Sequence, residues 1–157
     1  MAHILTAGNP IPEFSLKDQD GREVRSRDLI GDIILIFYFY PKDFTPGCIR
    51  EACSFRDNFQ EFIDAGARVI GISADSVGTY QKFARSFGLN YSLLSDPDRS
   101  VHVQFGIPTS FFGLLSGRVT FVIDLKGVIT HVFESQFQPL KHVSSSLKVM
   151  KELQEEG

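Results

Sequence analysis

Two cysteines, Cys48 and Cys53, make up the thiol complement of this 157-residue chain, and they stand five positions apart in PKDFTPGCIREAC, residues 41–53. Immediately upstream, IILIFYFY (33–40) is a continuous β-branched and aromatic run of the kind found in a central strand buried on both faces. Downstream, the apolar residues Ile49, Ala52, Phe55, Phe59, Phe62 and Ile63 recur at helical spacing, which predicts a helix from Pro46 to about Asp64. Thr45 suits its N-cap, Pro46 its first position and Gly66 its stop. Cys48 then falls in the first turn of that helix. There the unpaired N–H groups and the helix dipole both favour a thiolate over a thiol. Its pKa is expected below the ordinary thiol value of about 8.5, and the thiolate is the nucleophilic, oxidisable form. Cys53 lies on the same helix at i+5, where two Cα atoms are about 8–9 Å apart and point some 140° away from each other. A disulfide needs Cα atoms within about 7 Å. If these two sulfurs pair, the first turns of the helix must unwind. Taken one at a time, Cys48 also fits an inert buried thiol, and Cys53 a core residue beside Phe55 and Phe59.

Other uses of paired cysteines fit less well. Structural zinc takes four ligands, and His3, His102, His131 and His142 are scattered with no H-x₃₋₅-H spacing, so no metal or other cofactor is expected. A C-x-x-C redox motif is absent, and two cysteines are too few for a disulfide scaffold. With 16 Lys and Arg against 19 Asp and Glu, the net charge of −3 gives no footprint for nucleic acid or an anionic membrane. The longest apolar run has eight residues, whereas a spanning helix needs about 20. The opening MAHILTAG has neither a basic region nor a long apolar one, which leads to the expectation of a cytoplasmic protein.

The elements that must hold the cysteine segment are readable along the chain. Asp20-Gly21 marks a hairpin between Phe14–Leu16 and Arg22–Val24. After the cysteine helix come a buried-type strand in ARVIGISAD, a helix from Ser76 to Phe87 ended by Gly88, a short strand in YSLLSD and a short helix from Asp98 to Phe105. VTFVID and VITHVFE flank Lys126-Gly127 as a second hairpin, and Pro139 to about Glu155 forms a closing amphipathic helix. With 43% apolar and 22% charged residues and no internal repeat or linker, residues 1–157 read as one domain. Strand–helix alternation followed by a hairpin and a helix implies an α/β protein, a central mixed sheet flanked by helices in a thioredoxin-like fold.

FYFYPKDFTPGCIREACSFRD resembles the active-site segment of peroxiredoxins, P-x-x-x-T-x-x-C, and the second cysteine five residues on resembles the bacterioferritin-comigratory, or PrxQ, subfamily. The similarity extends through GNPIPEFSL, GISAD, LLSDPD and GRVTFVID to the last helix. It implies a peroxidase that reduces hydrogen peroxide and organic hydroperoxides. Cys48 matches the peroxidatic cysteine, which becomes a sulfenic acid, and Cys53 the resolving cysteine that closes an intramolecular disulfide. Thr45 matches the residue whose hydroxyl meets the peroxide, Pro41 the proline that shields the sulfur from water, and Arg118 the arginine that steadies thiolate and transition state. Glu51 matches a polar residue that orients the arginine. The resemblance further implies recycling by thioredoxin or a similar dithiol and a monomeric state.

The same residues would also serve a redox relay that passes oxidation to a partner protein, or a thioredoxin-fold binding module with structural cysteines. One segment departs from the family: before the arginine, relatives often carry a longer loop containing Trp and Lys, where this chain has GIPTSFFGLLSGR. Its Phe111, Phe112, Leu114 and Leu115 lead to the expectation of an apolar collar that favours organic hydroperoxides.

Overall fold

The computed structural model describes residues 4–31, 33–40, 46–107, 109–110, 115–116, 118–134 and 139–156; the side chains of 46–48, 109–110, 115–116, 139–140 and 153–156 lie outside the description. Along the chain run β1 (Ser15–Asp18), β2 (Glu23–Arg25), α1 (Ser26–Leu29), β3 (Ile34–Phe39), α2 (Pro46–Asp57), α3 (Phe59–Asp64), β4 (Ala67–Ser73), α4 (Val77–Phe87) and β5 (Ser92–Ser95). There follow α5 (Ser100–Phe105), β6 (Thr109–Ser110), β7 (Leu115–Ser116), β8 (Val119–Ile123), β9 (Ile129–Glu134) and α6 (Pro139–Glu156).

The apolar run before the cysteines does become a central strand. The sheet has seven strands in the order β2-β1-β5-β4-β3-β8-β9, with β3 parallel to β4, β4 parallel to β5, and the remaining pairs antiparallel. Because side chains alternate along a strand, β3 feeds two cores. Leu35, Phe37 and Phe39 pack on one face with Phe14, Val101, Phe105 and Phe121. Ile36, Tyr38 and Tyr40 pack on the other with Ala52, Phe55, Phe62, Tyr80, Val143 and Met150. The second face is the one covered by α2 and α6, so it carries the helix on which Cys48 and Cys53 ride.

Local signals set most boundaries. Asp18 Oδ1 accepts the N–H groups of Asp20 (2.9 Å) and Arg22 (3.0 Å), closing the first hairpin. Ser76 Oγ accepts the Thr79 N–H at 3.2 Å, and Gly88, with φ 60°, ends α4 by donating to the Ala84 carbonyl.

Three readings of the sequence need correction. The helix expected from Pro46 to Asp64 is two helices, interrupted at Asn58, whose Nδ2 donates to the Ser54 carbonyl at 2.8 Å; an Asn that bonds its own backbone competes with the helix ladder. The short helix expected from Asp98 starts at Ser100. Its first N–H, that of Ser100, goes to Asp98 Oδ1 at 3.1 Å, and the next two, those of Val101 and His102, are taken by the buried Asp96 carboxylate at 3.3 and 2.9 Å. The segment after β2, expected as extended pieces and turns, contains the single turn α1, which is too short to show a helical period. Its Ser26 hydroxyl accepts the Phe14 N–H at 2.9 Å.

One glycine is dictated by a close approach. Gly71 of β4 sits beside Tyr38 in the parallel register, and a Cβ there would meet Tyr38 Cζ at 2.7 Å and Leu93 Cδ2 at 2.8 Å. The Tyr38 ring lies across that bare backbone and stacks on Phe55 of α2 at 4.6 Å between centroids. Its hydroxyl is 2.7 Å from that of Tyr91, which donates to the Ala52 carbonyl at 2.9 Å. Gly71→Ala is therefore expected to displace Tyr38 and cost about 1–3 kcal/mol, the usual penalty of overpacking. Urea unfolding measures it, and a wild-type midpoint would show that the ring can move without cost.

Candidate active site

The site is assembled from the ends of elements far apart in sequence. Since β8 runs antiparallel to β3, with Val119 opposite Phe39, the start of β8 lies beside the end of β3, the strand that leads toward α2. Arg118, one residue before β8, is thereby brought to the first half of α2. Its Nη1 donates to Glu51 Oε1 at 2.5 Å, and both side chains are buried. Cys48 is the third residue of α2 and Glu51 the sixth. Residues three apart are neighbours on a helix surface, so the arginine–glutamate pair stands within one turn of the Cys48 backbone.

Burial pushes the Glu51 carboxyl up to about 8, with the Arg118 charge and hydrogen bond as the opposing influences. Burial and the guanidinium thus pull the protonation of this carboxyl in opposite directions. Behind Glu51 lies a residue that the sequence reading considered only as a metal ligand. His142 of α6 is buried, with Nδ1 2.7 Å from Thr120 Oγ1 and 3.9 Å from Glu51 Oε2. A signal for it was present: His142, Ser146, Val149 and Met150 share one helical face, and all are buried. The imidazole thus occupies a core position rather than a solvated one.

Cys53 is a half-buried free thiol on intact α2. Around and beyond Cys53, Ala52 receives the Tyr91 hydroxyl, Phe55 stacks on Tyr38, and Arg56 Nη1 donates to the Phe87 carbonyl. Of the residues expected in the site, Glu51 and Arg118 are brought together, and Cys53 is on the expected helix. Pro41, Thr45, the Cys48 side chain and the collar residues Phe111, Phe112 and Leu114, with the Leu115 side chain, lie outside the described residues. Among the described residues, no cluster of His, Cys, Asp and Glu is arranged to hold a metal.

Comparison with known proteins gives the geometry a context. A family model described as AhpC/TSA family matches residues 7–132. The chain is 43% identical over 149 residues to a protein named peroxiredoxin Q, chloroplastic, from Triticum aestivum, covering 95% of this chain and 68% of that one. It is 44% identical to its namesake from Sedum lineare, covering 95% of this chain and 80% of the relative. Among solved structures, the crystal structure of peroxidoxin BcpB from Mycobacterium tuberculosis superposes with a TM-score of 0.88 at 37% identity, covering 95% and 97% of the two chains. Xanthomonas campestris peroxiredoxin Q gives 0.84 at 28% identity and 98% of each chain. The thioredoxin-like architecture expected from the element order is the one the chain shares with these structures. Both plant relatives are designated chloroplastic, so the comparisons do not support the cytoplasmic expectation. Among the described residues, no helix is long and apolar enough to cross a membrane.

The raised Glu51 carboxyl has a consequence for stability. A group whose pKa is higher folded than unfolded favours the folded state most at low pH. That contribution is lost as pH rises from about 4.3, the unfolded value, toward the folded one. Glu51→Gln removes the titration, so the variant is expected to gain on the wild type in melting temperature between pH 5 and pH 8. Thermal unfolding across that range checks it, and a gap independent of pH would contradict the assignment.

Proposed function

The chain belongs to the AhpC/TSA family, and we propose on that footing that it is a thiol peroxidase, with Cys48 as the nucleophile toward hydrogen peroxide and organic hydroperoxides. The observation that carries this reading is the buried Arg118–Glu51 pair, held within a turn of Cys48 by the β3–β8 register. An arginine that cannot lose its proton, fixed by a carboxyl at its back, is suited to hold a thiolate and a peroxide together. The relatives named peroxiredoxin Q support the same activity.

The cycle has three balanced steps. In the first, the Cys48 thiolate attacks one peroxide oxygen; the S–O bond forms as the O–O bond breaks, and the departing alkoxide or hydroxide takes up a proton. Charge develops on that leaving oxygen, so donors aimed at it lower the barrier, the role this reading gives to the Arg118 guanidinium and the Thr45 hydroxyl; removing one such donor typically costs about 2.7–4 kcal/mol. To Pro41 this reading gives the part of shielding the sulfur from water. In the second step, the Cys53 thiol condenses with the Cys48 sulfenic acid, forming the disulfide and releasing water. The i+5 spacing requires the first turns of α2 to unwind for this. The Tyr38–Tyr91–Ala52 chain and the Phe55 stack favour a break confined to the N-terminal side. In the third step, a dithiol of the thioredoxin type reduces the disulfide by exchange and is itself oxidised. One monomeric chain of a single domain then carries the whole cycle, without metal or other cofactor.

Cys48→Ser is expected to abolish peroxide consumption in an assay coupled to thioredoxin, its reductase and NADPH. Cys53→Ser is expected to consume one equivalent and stop. After one equivalent of peroxide, the wild-type mass should fall by two hydrogens. Sustained turnover by Cys53→Ser would remove the resolving role, and an unchanged wild-type mass would contradict the peroxidase reading.

A further inference from the structure

We propose that His142 is a positioning residue of this site, acting on Cys48 through Glu51 and Arg118; the inference rests on the peroxidase reading above. The two oxygens of Glu51 face different partners. Oε1 accepts from Arg118, while Oε2 is buried, has no hydrogen-bond partner among the described residues and stands 3.9 Å from His142 Nδ1. A buried acceptor left unpaired is costly, and the imidazole is the polar group described as facing it. The same nitrogen is 2.7 Å from Thr120 Oγ1, which holds the ring edge that meets Glu51.

Charge explains what the contact does. A fully ionised Glu51 neutralises Arg118 and leaves little of its positive potential for a thiolate, whereas a neutral carboxyl leaves most of it. An imidazolium 3.9 Å from Oε2 favours the ionised carboxyl, and a neutral imidazole does not. His142 thereby sets how Arg118 divides its charge between Glu51 and the sulfur. The ionisable groups presented by the elements around α6 are few on this side. Glu51 comes from α2 and Arg118 from the start of β8. His131 and Glu134 of β9 are half-buried and exposed, Glu61 of α3 pairs with Lys151 at the surface, and Lys141 and Lys148 of α6 are exposed.

The test is a double-mutant cycle on the rate of Cys48 oxidation by hydrogen peroxide, read by competition with a reference peroxidase from pH 5 to 9. His142→Gln, which removes the charge that favours the ionised carboxyl, is expected to speed oxidation about tenfold at pH 5, the scale of coupling between neighbours in one network, and to leave the rate at pH 9 unchanged. It should make no difference in a Glu51→Gln protein. The wild-type profile should carry an inflection, beyond that of the thiol, which both single variants lack. Thr120→Val, which keeps the shape and frees the ring, should change the profile in the same direction, and it carries the test if His142→Gln does not fold. Effects that multiply in the double variant, a His142→Gln protein slower than the wild type at pH 5, or variants with the wild-type rate and profile, would overturn the inference while leaving the peroxidase reading intact. A wild-type Cys48 that does not react with peroxide would overturn both.

Discussion

A guanidinium and a carboxyl buried together impose a strict condition on everything around them. Taking either charge out of water costs several kcal/mol, and the loss is offset only when the partner is in place with good geometry. Arg118 and Glu51 meet at 2.5 Å with almost no exposure, although 67 residues separate them. That contact requires β8 to lie against β3 in one register, α2 to begin where β3 ends, and α6 to cover the result. A slip of one residue in the β3–β8 register would send Arg118 to the opposite face of the sheet. The ion pair is therefore a consequence of the fold and a check on it.

In the proposed cycle the same helix must satisfy two opposed demands. While intact, it offers Cys48 a helix N-terminus and keeps Glu51 beside Arg118. To bring residues five apart into a disulfide, its beginning must come undone. From Ala52 onward the helix is tied down by the Tyr91 hydroxyl, the Tyr38 ring and the Phe87 carbonyl of α4. Gly71 contributes from a distance: its bare backbone lets the Tyr38 ring lie between β4 and α2.

Much of this was legible in the chain itself. The run 33–40, the helical spacing after Pro46 and the two glycine hairpins carry strong local signals, and the fold follows from their order. Cys48, Cys53 and Arg118 were found through a motif. The breaks were missed where a side chain overrules periodicity: Asn58 turns back on Ser54, and Asp96 takes over the start of α5. His142 was missed for a different reason. Its meaning depends on Glu51 and Thr120, which are 91 and 22 positions away, and no linear spacing encodes that encounter.

The claim on which the account rests is that Cys48 is kept ionised by the helix start and the Arg118 charge. It is met most directly by the pH dependence of Cys48 alkylation by iodoacetamide in a Cys53→Ser protein, with and without Arg118→Gln. The account predicts an inflection well below the ordinary thiol value of about 8.5 that moves up when the arginine is removed. An inflection at or above the ordinary value, unmoved by the loss of Arg118, would contradict it.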